Sequence, residues 1–193
     1  SFDIDNRWYA PKGYNIYAHN FWELGTPAKQ RINAPYSGDK AWVTDLDASA
    51  ITTGKRGNVS YLYSPIINIQ QIRPDTISVR IRRNLLNGST LRLEFLNYER
   101  QWVNAVSDSL FNWYNNQDDA CFDGTSTGST YNYYYAPTAI RNGMSGDFNQ
   151  SLQFRFVYTT PVGTSENASF GEGCAIDNFS ISRARRPSDA GIV

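Results

Sequence analysis

Apolar and polar positions alternate along much of this chain. In TISVRIRR, Ile77, Val79 and Ile81 alternate with Ser78, Arg80 and Arg82, giving one apolar and one wet face, as an antiparallel sheet solvated on one side requires. LRLEFLNY repeats the pattern, with Leu91, Leu93 and Phe95 on one side and Arg92 and Glu94 on the other. Between them lies Asn87-Gly88, a turn signal that predicts a hairpin-like connection. Further strands are predicted in KAWVTDL near residue 43, SYLYSPIINI over 60–69, TYNYYYA near 133, LQFRFVYTT near 156 and CAIDNFSIS near 178. Each is bounded by Gly, Pro, Asn or Asp, the residues that favour turns.

No long segment carries a 3.6-residue period, so helices are not expected. Many short strands, long polar loops and no internal repeat predict an all-β chain, a two-sheet antiparallel β-sandwich. A jelly roll is preferred over an immunoglobulin-like arrangement because 193 residues are nearly twice what the latter needs. Residues 1–183 are expected to form one domain, and 184–193, rich in Pro, Ser, Asp and Gly, a linker towards a following module. The stretch from about 104 to 130 departs from strand spacing; its middle, SLFNWYNN, is open to a strand or a short helix.

Composition adds to this picture. With 40% hydrophobic residues, among them 13 Tyr, 10 Phe and 5 Trp, the chain has ample apolar area for a folded interior. Eighteen basic and 18 acidic residues cancel, so no long-range field draws it to a polyanion and nucleic acid is not an expected partner. Nor does it carry an apolar run of the roughly 18 residues that membrane insertion needs. Cys121 and Cys174 are either a disulfide or two separate thiols.

Candidate chemistry is sparse. His19 is the single histidine; it has no zinc-ligand spacing around it, and no G-x-S-x-G elbow accompanies it. Two carboxylates converging for glycoside hydrolysis would leave no linear signature, so Glu23, Glu94, Glu99, Glu166 and Glu172 stay open. The sharpest local anomaly is Asp177 in GEGCAIDNFSI. If Phe179 and Ile181 face the core, the two-residue period puts Asp177 and Ala175 on that same inward face, where a carboxylate is costly unless partnered. Calcium is one solution, with Asp39 in SGDKAW completing the shell; backbone N–H groups or an arginine are the others.

The aromatic segments WYNN and YNYYYAP offer rings with polar tips, suited to sugar rings or protein contacts. Alternation sends Tyr131, Tyr133 and Tyr135 to one face and Tyr134 to the other. Trp113, Tyr114 and Tyr134, beside long loops, are the contact candidates.

The order FWELGTPA, APYSGDKAWVTDL, YLYSPIINI, a central Trp102, LQFRFVY and GEGCAIDNFSI resembles the MAM-like jelly-roll domains of secreted, multi-modular proteins of the Bacteroidetes type. The match spans roughly residues 20–183. The resemblance implies an accessory module beside other modules of one polypeptide, with a structural calcium held by Asp177 and Asp39. Two cysteines are fewer than eukaryotic MAM domains carry, which sets this chain apart from their cell-adhesion role.

These readings converge on a non-catalytic binding or adhesion module, secreted or at the cell surface, with a glycan or protein ligand. A glycan-acting hydrolase using two carboxylates and a purely structural spacer are the alternatives.

Overall fold

The computed structural model describes residues 7–12, 20–46, 57–68, 76–97, 99–105, 113–127, 130–137, 151–162 and 169–182. The proposed linker at 184–193, His19, Glu166 and the start of SLFNWYNN lie outside these residues.

The described residues form twelve strands: β1 (Trp22–Gly25), β2 (Ala41–Thr44), β3 (Val59–Tyr63), β4 (Ile67–Asn68), β5 (Thr76–Leu85), β6 (Thr90–Leu96), β7 (Trp102–Asn104), β8 (Gly124–Thr125), β9 (Asn132–Pro137), β10 (Ser151–Leu152), β11 (Phe154–Thr159) and β12 (Gly173–Ser182). One sheet has the order β1-β2-β12-β5-β8, with β9 also paired to β5; the other has the order β3-β11-β6-β7; β10 and β4 pair separately. Every pairing is antiparallel. The chain passes repeatedly from one sheet to the other, the winding of a jelly-roll β-sandwich. Among the described residues no helix is long and apolar enough to cross a membrane.

Alternation decides what lies between the sheets. Trp42, Ile77, Val79, Ile81 and Ile176 from the six-stranded sheet meet Leu62, Leu91, Leu93, Phe95, Phe154, Phe156 and Tyr158 from the four-stranded one in a single buried cluster. Each such side chain contributes about 1.5–3 kcal/mol relative to exposure, so this inter-sheet layer supplies the main driving force.

The Asn87-Gly88 turn forms, with φ of 50° and 81° and a bond from the Ser89 N–H to the Leu86 carbonyl at 3.1 Å. Asn and Gly tolerate this left-handed geometry. The turn does not close a hairpin, because β5 pairs with β12, β8 and β9 whereas β6 pairs with β11 and β7. It carries the chain across the sandwich.

A second irregularity re-phases β12. Asp177 stands opposite Arg80 and Ser180 opposite Ser78, so three steps on β12 match two on β5, a β-bulge. Asn178 takes up the extra residue with φ 48°. As a result Phe179 and Ile181 pack on the main core, whereas Ala175 joins a separate cluster with Ile32, Ala41, Val43 and Tyr131. The expectation that Asp177 shares a face with Phe179 therefore fails at the bulge. Asp177 is on the outer face, and it is buried there by the segment between β1 and β2.

Candidate functional site

The segment from Thr26 to Lys40, between β1 and β2, forms a strap over the outer face of the six-stranded sheet. Two carboxylates fasten it. Glu172 accepts the N–H groups of Arg31 at 2.9 Å and Ile32 at 2.8 Å. Asp177 Oδ2 accepts those of Tyr36 at 3.1 Å and Ser37 at 3.0 Å, while its Oδ1 accepts the Asn178 N–H at 2.7 Å. A loop leaves backbone donors without ladder partners, and buried carboxylates satisfy them with charge-assisted bonds. The Tyr131 hydroxyl adds a bond to the Ala34 carbonyl at 2.9 Å; burial, then the nearby Asp177 charge, raise its pKa and keep it a donor.

Lys29 completes the strap from below. Its Nζ donates to the carbonyls of Thr44 and Glu172, the latter at 2.6 Å. Burial lowers its pKa to about 8, against the opposing pull of Asp45, Cys174, Glu172 and Glu23.

Beside the strap the sheet opens into a cleft of about 440 Å³, within the size range of small-molecule sites. Its floor is Ser78 and Arg80 from β5, Ser180 from β12 and the bulge residue Asn178. Its walls are Tyr36 from the strap and Tyr133 from β9, 45% and 52% exposed. The Arg80 guanidinium lies between them, 4.6 Å from the Tyr36 ring centre and 4.5 Å from that of Tyr133, inside cation–π range on both sides. Register explains one wall, since Arg80 pairs directly with Tyr133. Asp177 explains the other, because it holds the Tyr36 backbone and Tyr36 then meets Tyr131 edge-on at 5.9 Å. The Ser78 and Ser180 hydroxyls share a 2.8 Å bond, and the Ser37 hydroxyl bonds Asn178 Oδ1 at 3.0 Å.

The contact candidates named from sequence are elsewhere. Trp113 and Tyr114 are 5% and 2% exposed. The Trp113 indole N–H donates to the Ala105 carbonyl at 2.8 Å, and the Tyr114 hydroxyl bonds the Leu93 backbone and Asn104 Oδ1. Both rings pack on Phe122, so proximity to a long loop reflects core formation here and not a contact surface. Tyr134 stands opposite Val79 on the inward side of β9, packs on Phe122 at 4.5 Å and bonds Arg83. Tyr131 and Tyr133 lie on the outer face and Tyr134 on the inner one, as alternation predicts, and Tyr133 is the half-exposed one of these three. Tyr36, Arg80, Tyr133 and Asn178 are the residues that sequence reasoning did not single out; strand pairing brings Arg80, Tyr133 and β12 together and the Asp177-held strap adds Tyr36, and no local motif marks them.

Cys121 and Cys174 are two buried free thiols and not a disulfide. Cys174 lies in β12, its amide bonded to Thr44 Oγ1 at 2.8 Å, while Cys121 bridges back to Asn116. Burial raises both pKa values, that of Cys174 to about 12.

Three of the acids considered for hydrolysis, Glu23, Glu94 and Glu172, have structural partners. Glu94 pairs with Arg155 at 2.5 Å, Glu23 accepts the Leu46 N–H at 2.8 Å, Glu172 holds the strap, and no carboxylate lines the cleft among the described residues. Calcium fares similarly. It takes six to eight oxygen ligands, yet both oxygens of Asp177 face N–H donors. Asp39 is exposed, its backbone carbonyl accepting the Thr26 hydroxyl. Among the described residues no group of three or more His, Cys, Asp or Glu gathers to hold a metal. Asp177 and Asp39 do not fit a calcium shell.

No protein-family model matches the chain, and no curated protein matches it in sequence. Among solved structures it is similar to a non-crystalline cellulose specific carbohydrate-binding module, CBM28, at 10% identity and TM-score 0.46, covering 90% of this chain and 97% of that one. It is also similar to a glycoside hydrolase family 43 arabinoxylan arabinofuranohydrolase from Bacillus subtilis, at 10% identity and TM-score 0.42. That alignment covers 84% of this chain but only 24% of the hydrolase, so the chain spans about a quarter of its length.

Proposed function

We propose that this chain is a non-catalytic module that binds glycan in the cleft between Tyr36 and Tyr133. The observation that carries the reading is the pairing of two half-exposed tyrosine rings with a floor of hydroxyl, amide and guanidinium groups. A sugar ring has an apolar C–H face and a rim of hydroxyls; Arg80 covers the facing sides of the two rings, so the exposed remainder of Tyr36 and Tyr133 suits the first, and Ser78, Ser180 and Asn178 suit the second. With this reading go a location outside the cell or at its surface and neighbouring modules on the same polypeptide, which the motif order resembling MAM-like domains supports.

The test is a glycan array followed by calorimetry on the hits, comparing wild type with Tyr133→Ala. Tyr133 is half exposed and covers Arg80, so its truncation is expected to cost only about 1 kcal/mol of stability while weakening binding about tenfold or more, as loss of one stacking ring does. Absence of glycan binding by the wild type, or a Tyr133→Ala variant that binds equally well, overturns the reading.

A further inference from the structure

We propose that the glycan taken by this cleft is acidic and that Arg80 receives its sugar carboxylate. The inference rests on the glycan reading above and adds the class of sugar. Its ground is a device that occurs twice in the molecule, once complete and once open.

On the outer face of the four-stranded sheet, the Arg155 guanidinium lies between Tyr61 and Trp102, 4.6 Å and 4.2 Å from the ring centres. Rings above and below leave only the in-plane N–H groups to bond, and a carboxylate matches that planar edge. Glu94, opposite Arg155 in the ladder, supplies it, with Nε at 2.6 Å and Nη2 at 2.5 Å from Glu94 Oε2. On the six-stranded sheet Arg80 is held in the same way between Tyr36 and Tyr133. Here the ladder neighbour is again an acid, Asp177, but its oxygens accept the N–H groups of Tyr36, Ser37 and Asn178. Among the described residues Arg80 donates to no acceptor and pairs with no carboxylate.

The remaining arginines of β5 sharpen the contrast. Arg82 bonds Asn33 Oδ1 at 3.0 Å, and Arg83 bonds the Asp123 carbonyl and the Tyr134 hydroxyl. Arg80 alone of the three faces an open cleft. An oriented guanidinium on the floor of a sugar-sized site, flanked by hydroxyls, is complementary to a uronic acid: the carboxylate meets Arg80, and the ring hydroxyls meet Ser78, Ser180 and Asn178.

Calorimetry tests this with four oligosaccharide probes of matched length: a hexuronate oligomer, the same oligomer with its carboxyl groups reduced to alcohols, a neutral hexose oligomer and its sulfated form. Each is titrated into wild type, Arg80→Gln and Tyr133→Ala. The expected result is that the hexuronate binds wild type about ten- to a hundredfold more tightly than its reduced form, the range for a charge-assisted pair. Arg80→Gln should bring the hexuronate down to the affinity of its reduced form, and Tyr133→Ala should weaken every probe. Equal binding of hexuronate and reduced oligomer, or a preference that survives in Arg80→Gln, overturns the acidic-sugar inference and leaves the glycan reading standing. Binding of the sulfated probe in preference to the hexuronate overturns the carboxylate assignment. If no probe binds and the glycan array is blank as well, the glycan reading falls and this inference falls with it.

Discussion

Asp177 Oδ2 accepts the backbone N–H of Tyr36 at 3.1 Å, so a buried acid on one strand sets the position of an exposed ring on the strap beside it. The neighbouring N–H of Ser37 shares the same oxygen. The carboxylate is fully buried, and its charge is compensated by amides aimed at it, an arrangement that holds a loop where a ladder cannot.

Replacing Asp177 by Ala is expected to lower unfolding stability by about 3 kcal/mol, because the amides of Tyr36, Ser37 and Asn178 lose a charged acceptor. Asp177→Asn should cost less, since one oxygen acceptor remains. Urea denaturation measures both, and glycan binding should weaken in step as the Tyr36 wall loses its anchor. Since the acceptors are occupied by N–H groups, EDTA is expected to leave the wild-type melting temperature unchanged. A drop on chelation restored by calcium would show that Asp177 serves a cation instead.

Trp113→Ala is expected to act on stability and not on the site. The indole is buried against Tyr114 and Phe122 and bonds the Ala105 carbonyl, so truncation opens a cavity and orphans an acceptor, costing about 3–5 kcal/mol. At a temperature where the variant stays folded, its affinity for glycan should match the wild type. A large loss of affinity with unchanged stability would place the contact surface at Trp113 after all.

These two cases mark how far the sequence could be read. The alternation in TISVRIRR and LRLEFLNY settles the inward and outward positions of β5 and β6, because a period of two needs no knowledge of partners. It also puts Arg80 on a wet face. What it lacks is the pairing that sets Arg80 beside Tyr133, a long-range property of the register. Asp177 was visible as an anomaly, but its face was misassigned because a single bulge at Asn178 inverts every side chain beyond it. The strap hides a polar sheet face that alternation alone would leave in water. Trp113 and Tyr114 lie in irregular backbone, where no period tells a core ring from a contact ring.

Lys29 gives the fold a pH signature whose sign follows from its burial. Its pKa falls from 10.5 in the unfolded chain to about 8 in the folded one, with desolvation the largest cause. Below pH 8 both states carry the proton, and the cost of burying the charge is fully present. Between about pH 8 and 10.5 the unfolded chain keeps the proton while the folded one releases it, so the unfolded state binds more protons and stability rises with pH. The full gain is about 3 kcal/mol. Cys174 works in the opposite direction: its thiol titrates at 9.0 when unfolded and at about 12 when folded, so above pH 9 it favours the unfolded chain. The two overlap, and a wild-type curve alone would mix them. Urea unfolding of wild type and Lys29→Met at half-unit steps from pH 7 to about 10.5, repeated in a Cys174→Ala background, separates them, because Lys29 and Cys174 shift each other and the thiol cancels only where it is absent. The wild type should gain on the variant as pH climbs through that window, the difference levelling at its top. A flat difference would mean that Lys29 holds its proton as it does in water, and that the two carbonyls beneath the strap grip the ammonium tightly enough to offset its burial.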